Sequence, residues 1–350
     1  MYRRIKCFRC YRYLFHLFVG IQEFQDLLSE AEVSRQHAYA AGTYSNLHTQ
    51  FRTYFIFCVY FQRKPLPASR DTISGYVQFL SRSLKPKSIR NYLSGLRTLH
   101  ALMGFSYNFS EEFHLKLLLK GIDRLHPYVT RRARPVTPAI LMKFRSLLDW
   151  SVSLHRSVWA CCLVLFFSMS RLGSVLPRSS KDKDLRTFLT RDRVRLCKEG
   201  LLITHLRTKT IQFGKRHLHI PLLRLRSVLC PVEAYLDMWD MVQDSSVTPA
   251  FVYMEGGRVR WLTRDIFVRT FRSVLQSGLA GSMRGFTGHS FRRGGASWAF
   301  RTGLPGELIQ VCGDWSSDAY KSYLEFDMGQ KLELAALFCR GLPVIRYPSV

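Results

Sequence analysis

Acidic side chains are scarce in this chain: 25 Asp and Glu stand against 52 Lys and Arg in 350 residues, a formal charge of +27. That is far more positive charge than solubility requires, and a polyanion is the simplest partner for it. The basic residues run the whole length of the chain instead of filling one tail. This suits a long surface that gains affinity by releasing counterions from phosphates. An acidic membrane would attract the same charge, but no stretch of about 18 apolar residues is present to span one. The longest, WACCLVLFF at 159–167, has the length of a buried helix.

Other classes are excluded by what is missing. The nine cysteines form no regular framework, so an intracellular, reduced setting is expected in preference to a disulfide-stapled secreted one. Cys7 and Cys10 make a lone CxxC with no second pair at zinc-binding spacing. No acidic cluster suits two divalent metals, and no glycine-rich loop leads into Gly-Lys-Ser/Thr, the RRGGA of 292–296 included. No metal and no cofactor is therefore expected. The opening MYRRIKCFRCYRYLFHLFVG starts like a signal peptide, yet Arg12 and His16 interrupt its apolar part and no small-residue cleavage pattern follows. Residues 1–33 are expected to be a basic extension.

What is present is a large apolar fraction, 47%, ample for a core. Tyr44, Leu47, Phe51, Tyr54, Phe55, Cys58 and Phe61 recur at steps of three and four, which predicts one helix from Ser34 to about Phe61. KPLPASRDT breaks it. Three more helices follow: one through Ile73 to Leu80, one after Pro86 through Leu99, and one from Glu111 to His126. Residues 34–126 thus read as a helical bundle. Lys85, Lys87, Arg90 and Arg97 lie on or near the polar face of its third helix, placed to follow a DNA backbone. HPYVTRRARPVTP, 126–138, combines three prolines with Arg131 and Arg132, and predicts a basic linker over 127–137 that would let two domains close round a duplex.

Residues 138–335 read as a second domain, with 336–350 as a tail. Helices are predicted at 137–150, 157–169, 230–243, 264–280, 290–302 and 305–312. Between them LLITHL, KTIQF and RHLHIPL are short β-like runs that predict one small antiparallel sheet. The fold class is therefore mainly α with a small antiparallel sheet.

The stretch TGHSFRRGGASWAF, 287–300, sets a histidine and two arginines inside an otherwise apolar helix. His289 and Arg292 are three apart and share a helix face, so a phosphate can sit between them. Alone, such a pair is most simply a helix cap and a surface charge. Its company is more telling, because GHSFRRGGASWAFRTGLPGELIQVCGDWSSDAYKSYLEF runs on through a turn and a second helix into Trp315 and a tyrosine-bearing segment.

Here the chain resembles the tyrosine recombinases, the phage-integrase family, over about 300 residues. The match takes in Arg171 in FFSMSRLGSVLP, Lys209 in LRTKTIQF, the HxxR of His289 and Arg292, Trp315 in GDW and Tyr323 in KSYLEF, in the family's order. HSFRRGGASWAF and GDWSSDAYKSYLEF look most like the recombinases of DIRS-like and Ngaro-like retroelements and of cryptons. The resemblance implies a helical core-binding domain followed by a catalytic domain. It also implies cutting and rejoining of DNA through a 3′-phosphotyrosine, with a homotetramer acting on two duplexes. KLELAALFCRGLP, 331–343, is amphipathic and could dock on a neighbouring protomer or on its own domain. Nuclear residence is expected from the mobile-element likeness and the charge.

The residue types suit that chemistry. A phosphodiester under attack gathers negative charge, which Arg171 and Arg292 meet with permanently charged, bidentate forks. The Tyr323 phenol is the expected nucleophile and His289 its proton acceptor. By the resemblance, Lys209 is the general acid and Trp315 an N–H donor to phosphate. Arg293 is expected among the DNA contacts. Two departures stand out. Ser174 occupies a place where bacterial members have Glu, so Arg171 needs support from elsewhere. Trp315 to Tyr323 spans eight residues, one fewer than in many members, which leaves Tyr320 as a competing nucleophile. A type IB topoisomerase and an inactive, element-derived DNA-binding protein are the alternative functions.

Overall fold

The structure, a computed structural model, describes residues 19–106, 112–127, 132–212, 214, 216–242, 249–324 and 328–340. The chain forms two compact units, 1–130 and 131–350.

The first unit has five helices, α1 Val19–Gln36, α2 Ala41–Tyr60, α3 Arg70–Ser81, α4 Pro86–Leu102 and α5 Phe113–Leu125, and the last four enclose an apolar core. The single helix expected over 34–61 is two, and α1 takes up part of the expected extension. The break is stabilised by Tyr44, whose hydroxyl donates to the carbonyls of Arg35 and Gln36 at the end of α1. Ser69 caps α3 by accepting from the Thr72 amide at 3.2 Å, and Pro86 opens α4. The stripes of α3 and α4 turn inward, with Ile73, Tyr76, Ile89, Leu96 and Leu99 buried beside Leu115 and Ile122; of the stripe expected over 44–61 only Tyr54 and Cys58 are buried, with Phe57 added, while Tyr44, Phe55 and Phe61 are exposed.

The second unit is organised around α7, Ser153–Ser168, which α6 Pro138–Ser146 precedes. From Ser157 to Phe166 every residue of α7 is buried, as expected of a helix apolar on all sides. It packs against α9 Pro231–Asp240, α11 Gly288–Arg301 and the strand Val252–Glu255. Two glycines let α11 approach its neighbours: a Cβ on Gly294 would stand 1.8 Å from the Val136 carbonyl oxygen, and one on Gly295 2.1 Å from that of Phe166. The segment 132–137 belongs to this unit, since the Arg134 amide donates to Gly285 and the Val136 amide to Ser290.

Strands β1 Val194–Cys197, β2 Gly200–His205 and β3 Leu218–Leu223 form an antiparallel sheet in that order, with Ile203 opposite both Val194 and Ile220. KTIQF, expected as a strand, lies in the connection between β2 and β3. There the Thr208 amide donates to the Ile211 carbonyl and closes a turn where a ladder would continue. A second sheet was not expected: β4 Val252–Glu255 pairs with β5 Arg258–Trp261 across Gly256 and Gly257, both at positive φ. The short α8 Leu172–Val175, α10 Arg264–Gly278, α12 Gly306–Cys312, a 3-10 turn at Asp318–Tyr323 and α13 Met328–Phe338 complete the unit. Among the described residues no helix is long and apolar enough to cross a membrane.

Candidate active site

Helix α11 starts with a capping box. The Thr287 hydroxyl accepts from the His289 amide, and the Ser290 hydroxyl accepts from the Thr287 amide. This start puts His289 in the first turn, exposed, and sends Arg292 inward. Arg292 is only 2% exposed. Its Nη1 donates to the Met169 carbonyl at 2.5 Å and its Nη2 to the Gly313 carbonyl at 2.7 Å. Trp315 lies flat against it, with Cζ 3.7 Å from the ring centroid. Its Nε is buried and has no hydrogen-bond partner among the described residues. Met169 presents its carbonyl because α7 ends there in a left-handed turn, φ 49°.

Arg171 stands at the start of α8 and lines the same small pocket as Arg292. With Ser174 in place of an acid, its segment is held by two residues that sequence reasoning missed. His205, 3% exposed at the end of β2, is hydrogen-bonded to the Ser170 hydroxyl at 3.1 Å and to the backbone of Ser174, so it grips the chain on both sides of Arg171. Burial pushes the His205 imidazole down to about 4, and it is neutral at physiological pH. Arg264 donates to the carbonyls of Gly173 and Leu176 at 3.0 and 2.9 Å and so caps α8.

The electrostatics show which groups gather. Desolvation, and then the charges of Arg292, Arg171 and Lys209, hold the His289 imidazole below its ordinary value. Burial and the like charge of Arg171 pull Arg292 down, while Tyr323 and Asp314 oppose them, Tyr323 also by a side-chain hydrogen bond. Tyr323 is half-buried on the 3-10 turn. Its ring centroid is 5.5 Å from that of Trp315, and its carbonyl accepts from the Ser297 hydroxyl of α11 at 2.6 Å. Tyr320 is 4% exposed and packs in a small apolar cluster with Met169, Ala296, Ile309 and Trp315. Five of the six residues singled out from the sequence thus meet around Arg292. Lys209, exposed on its turn, is close enough to act on His289.

The expected DNA contacts divide. Lys85, Lys87, Arg90 and Arg97 are exposed on α4 or at its start, with Arg90 paired to Asp123. Arg132 is exposed, and its Nη1 lies 3.5 Å from the Ser322 carbonyl. Arg131, Cys7 and Cys10 lie outside the described residues. Arg293, 5% exposed, is buried and not a surface contact. Asp314, a third residue not singled out, is buried among donors from the β2–β3 connection. For His205 the signal was present: the alternation of Leu201, Ile203 and His205 on β2 places all three on the inward face. Nothing local marks Asp314.

No family model and no curated protein matches the chain. Among solved structures it is similar to a lambda integrase dimer bound to a COC′ core site. The identity is 15% and the TM-score 0.55, over 95% of this chain and 99% of that one. It is also similar to the XerH site-specific recombinase in a post-cleavage complex with palindromic difH substrate, at 14% identity and TM-score 0.52, over 78% and 73% of the two chains. A third is the Tn1549 transposon integrase in complex with transposon right end DNA, at 12% identity and TM-score 0.51, over 90% and 98%. The chain therefore has the fold of the tyrosine recombinases, mainly helical with small antiparallel sheets.

Proposed function

We propose that a chain with this fold and this cluster is a DNA strand transferase that works through a 3′-phosphotyrosine. One observation carries the proposal: the Tyr323 phenol stands beside a buried, charged Arg292 that shares its pocket with Arg171. In the attack the Tyr323 oxygen bonds to phosphorus and its proton passes to His289, which is kept neutral by its surroundings. The bond to the 5′ oxygen breaks and Lys209 gives that oxygen a proton. Arg171 and Arg292 meet the charge that grows on the non-bridging oxygens, so the side chains supply the positive charge that a metal would otherwise bring. Attack by another strand's 5′ hydroxyl reverses these steps and reseals the backbone.

The DNA-bound neighbours and the charge of +27 support duplex DNA as partner. The transposon integrase among them supports a role in mobile-element integration; a homotetramer acting on two duplexes and nuclear residence are part of the same proposal.

The test uses nicked suicide duplexes drawn from the genomic DNA flanking the coding sequence. A covalent protein–DNA adduct is expected in the presence of a chelator. Tyr323→Phe abolishes it and Tyr320→Phe retains it; the reverse pattern, or duplex binding with no adduct, refutes the assignment.

A further inference from the structure

Asp314 has no part in the steps above, yet it is a carboxylate only 8% exposed, in a left-handed backbone conformation at φ 53°. A buried carboxylate is costly unless its oxygens are fully paired, so the identity of its donors is informative. There are three. The Thr208 hydroxyl donates at 3.4 Å, and the Thr210 hydroxyl and the Arg216 guanidinium donate as well. All three lie on the connection between β2 and β3, and two of them flank Lys209.

Residues 208–212 of that connection are tied to one another. The Thr208 hydroxyl also accepts from the amides of Thr210 and Ile211, the Gln212 side chain donates to the Lys209 carbonyl at 2.9 Å, and Ile211 is buried. The other side of Asp314 leads straight to the reacting centre. Gly313 before it accepts from Arg292, and Trp315 after it stacks on the same guanidinium. One three-residue turn therefore touches both the fixed cation and the loop that carries the exposed lysine.

We propose that Asp314 is a positioning residue that docks the Lys209 loop onto the turn 313–315, so that the Lys209 ammonium reaches the leaving 5′ oxygen only while Asp314 anchors the loop. The proposal rests on the strand-transfer reading. Both oxygens of Asp314 are taken up by donors of the loop, so its role is exerted through Lys209. It converts a lysine on a long, flexible stem into one with a defined reach, the kind of placement on which general-acid catalysis depends.

The experiment compares two suicide duplexes that differ only in the bridging 5′ atom of the scissile phosphate, oxygen in one and sulfur in the other. A thiolate leaves without being protonated, so the sulfur duplex does not need Lys209. Wild type is expected to form the tyrosine adduct on both. Asp314→Asn is expected to lose about 100-fold on the oxygen duplex and to stay close to wild type on the sulfur duplex, as is Lys209→Met. The double variant Thr210→Val with Arg216→Ala removes the docking from the loop side and leaves the turn intact. It is expected to show the same split and covers the case of a misfolded Asp314 variant. Equal losses on both duplexes in the double variant, or no loss on oxygen, overturn the positioning role while wild-type adducts keep the strand-transfer reading. A wild type that forms no adduct on either duplex overturns both.

Discussion

His205 shows how one substitution changes the support of a neighbour. Where Ser174 leaves Arg171 without an acid, a buried imidazole bridges Ser170 and Ser174. The sign of its linkage follows from its lowered pKa. Above the ordinary histidine value of about 6.5 both folded and unfolded chains carry it neutral. Between there and about 4 the unfolded chain binds a proton that the folded chain refuses. Stability is thus full above the upper limit and falls as pH drops through the window, by about 3 kcal/mol for the whole shift. Denaturant melts at both ends of the window are expected to show this loss in wild type and a smaller one in His205→Asn; identical pH dependence in the two disproves the buried neutral state. His205 was marked only by its inward place in the alternation of β2, and its partners, like those of Asp314, lie far along the chain. Arg171, His289, Arg292, Trp315 and Tyr323 could be singled out because each sits in a recognisable local setting and their order resembles that of a known family.

At the level of elements the helices were the readable part, since stripes such as Ile73 to Leu80 and Ile89 to Leu99 face one core. The sheets were less so. β4 and β5 passed unnoticed although Val252–Glu255 and Arg258–Trp261 are β-prone runs joined by Gly-Gly, a strong hairpin signal. KTIQF misled for the opposite reason: its composition suits a strand, but hydrogen bonds to Asp314 hold it as a turn. The close approach around α11 is likewise invisible until the partner backbones are placed, and it makes a prediction. Gly294→Ala or Gly295→Ala drives a methyl into a carbonyl oxygen and is expected to cost a few kcal/mol. Gly121→Ala in α5 meets no atom within 4 Å and is expected to stabilise by about 0.5–1 kcal/mol. Thermal melts separate the two cases, and equal tolerance at all three positions contradicts the packing described.

For the molecule as a whole, an excess of 27 positive charges spread over both units predicts binding that salt weakens steeply. Affinity for a duplex of arbitrary sequence is expected to fall about 1,000-fold between roughly 50 and 200 mM salt. A salt-insensitive constant, read by fluorescence anisotropy, rules out the phosphate backbone as the main attractor. The division after residue 130 lies within the basic, proline-rich stretch marked out by composition, but residues 132–137 pack along α11 because Gly294 leaves them room. The carbonyls that hold Arg292 have a further consequence. Both acceptors, at 169 and 313, are main-chain oxygens, which every amino acid carries. Mutational drift at position 169 can therefore replace the methionine without releasing the guanidinium. A guanidinium held this way depends on the path of the backbone more than on side-chain identity, and the backbone path is what this chain shares with solved structures identical to it at about one residue in seven.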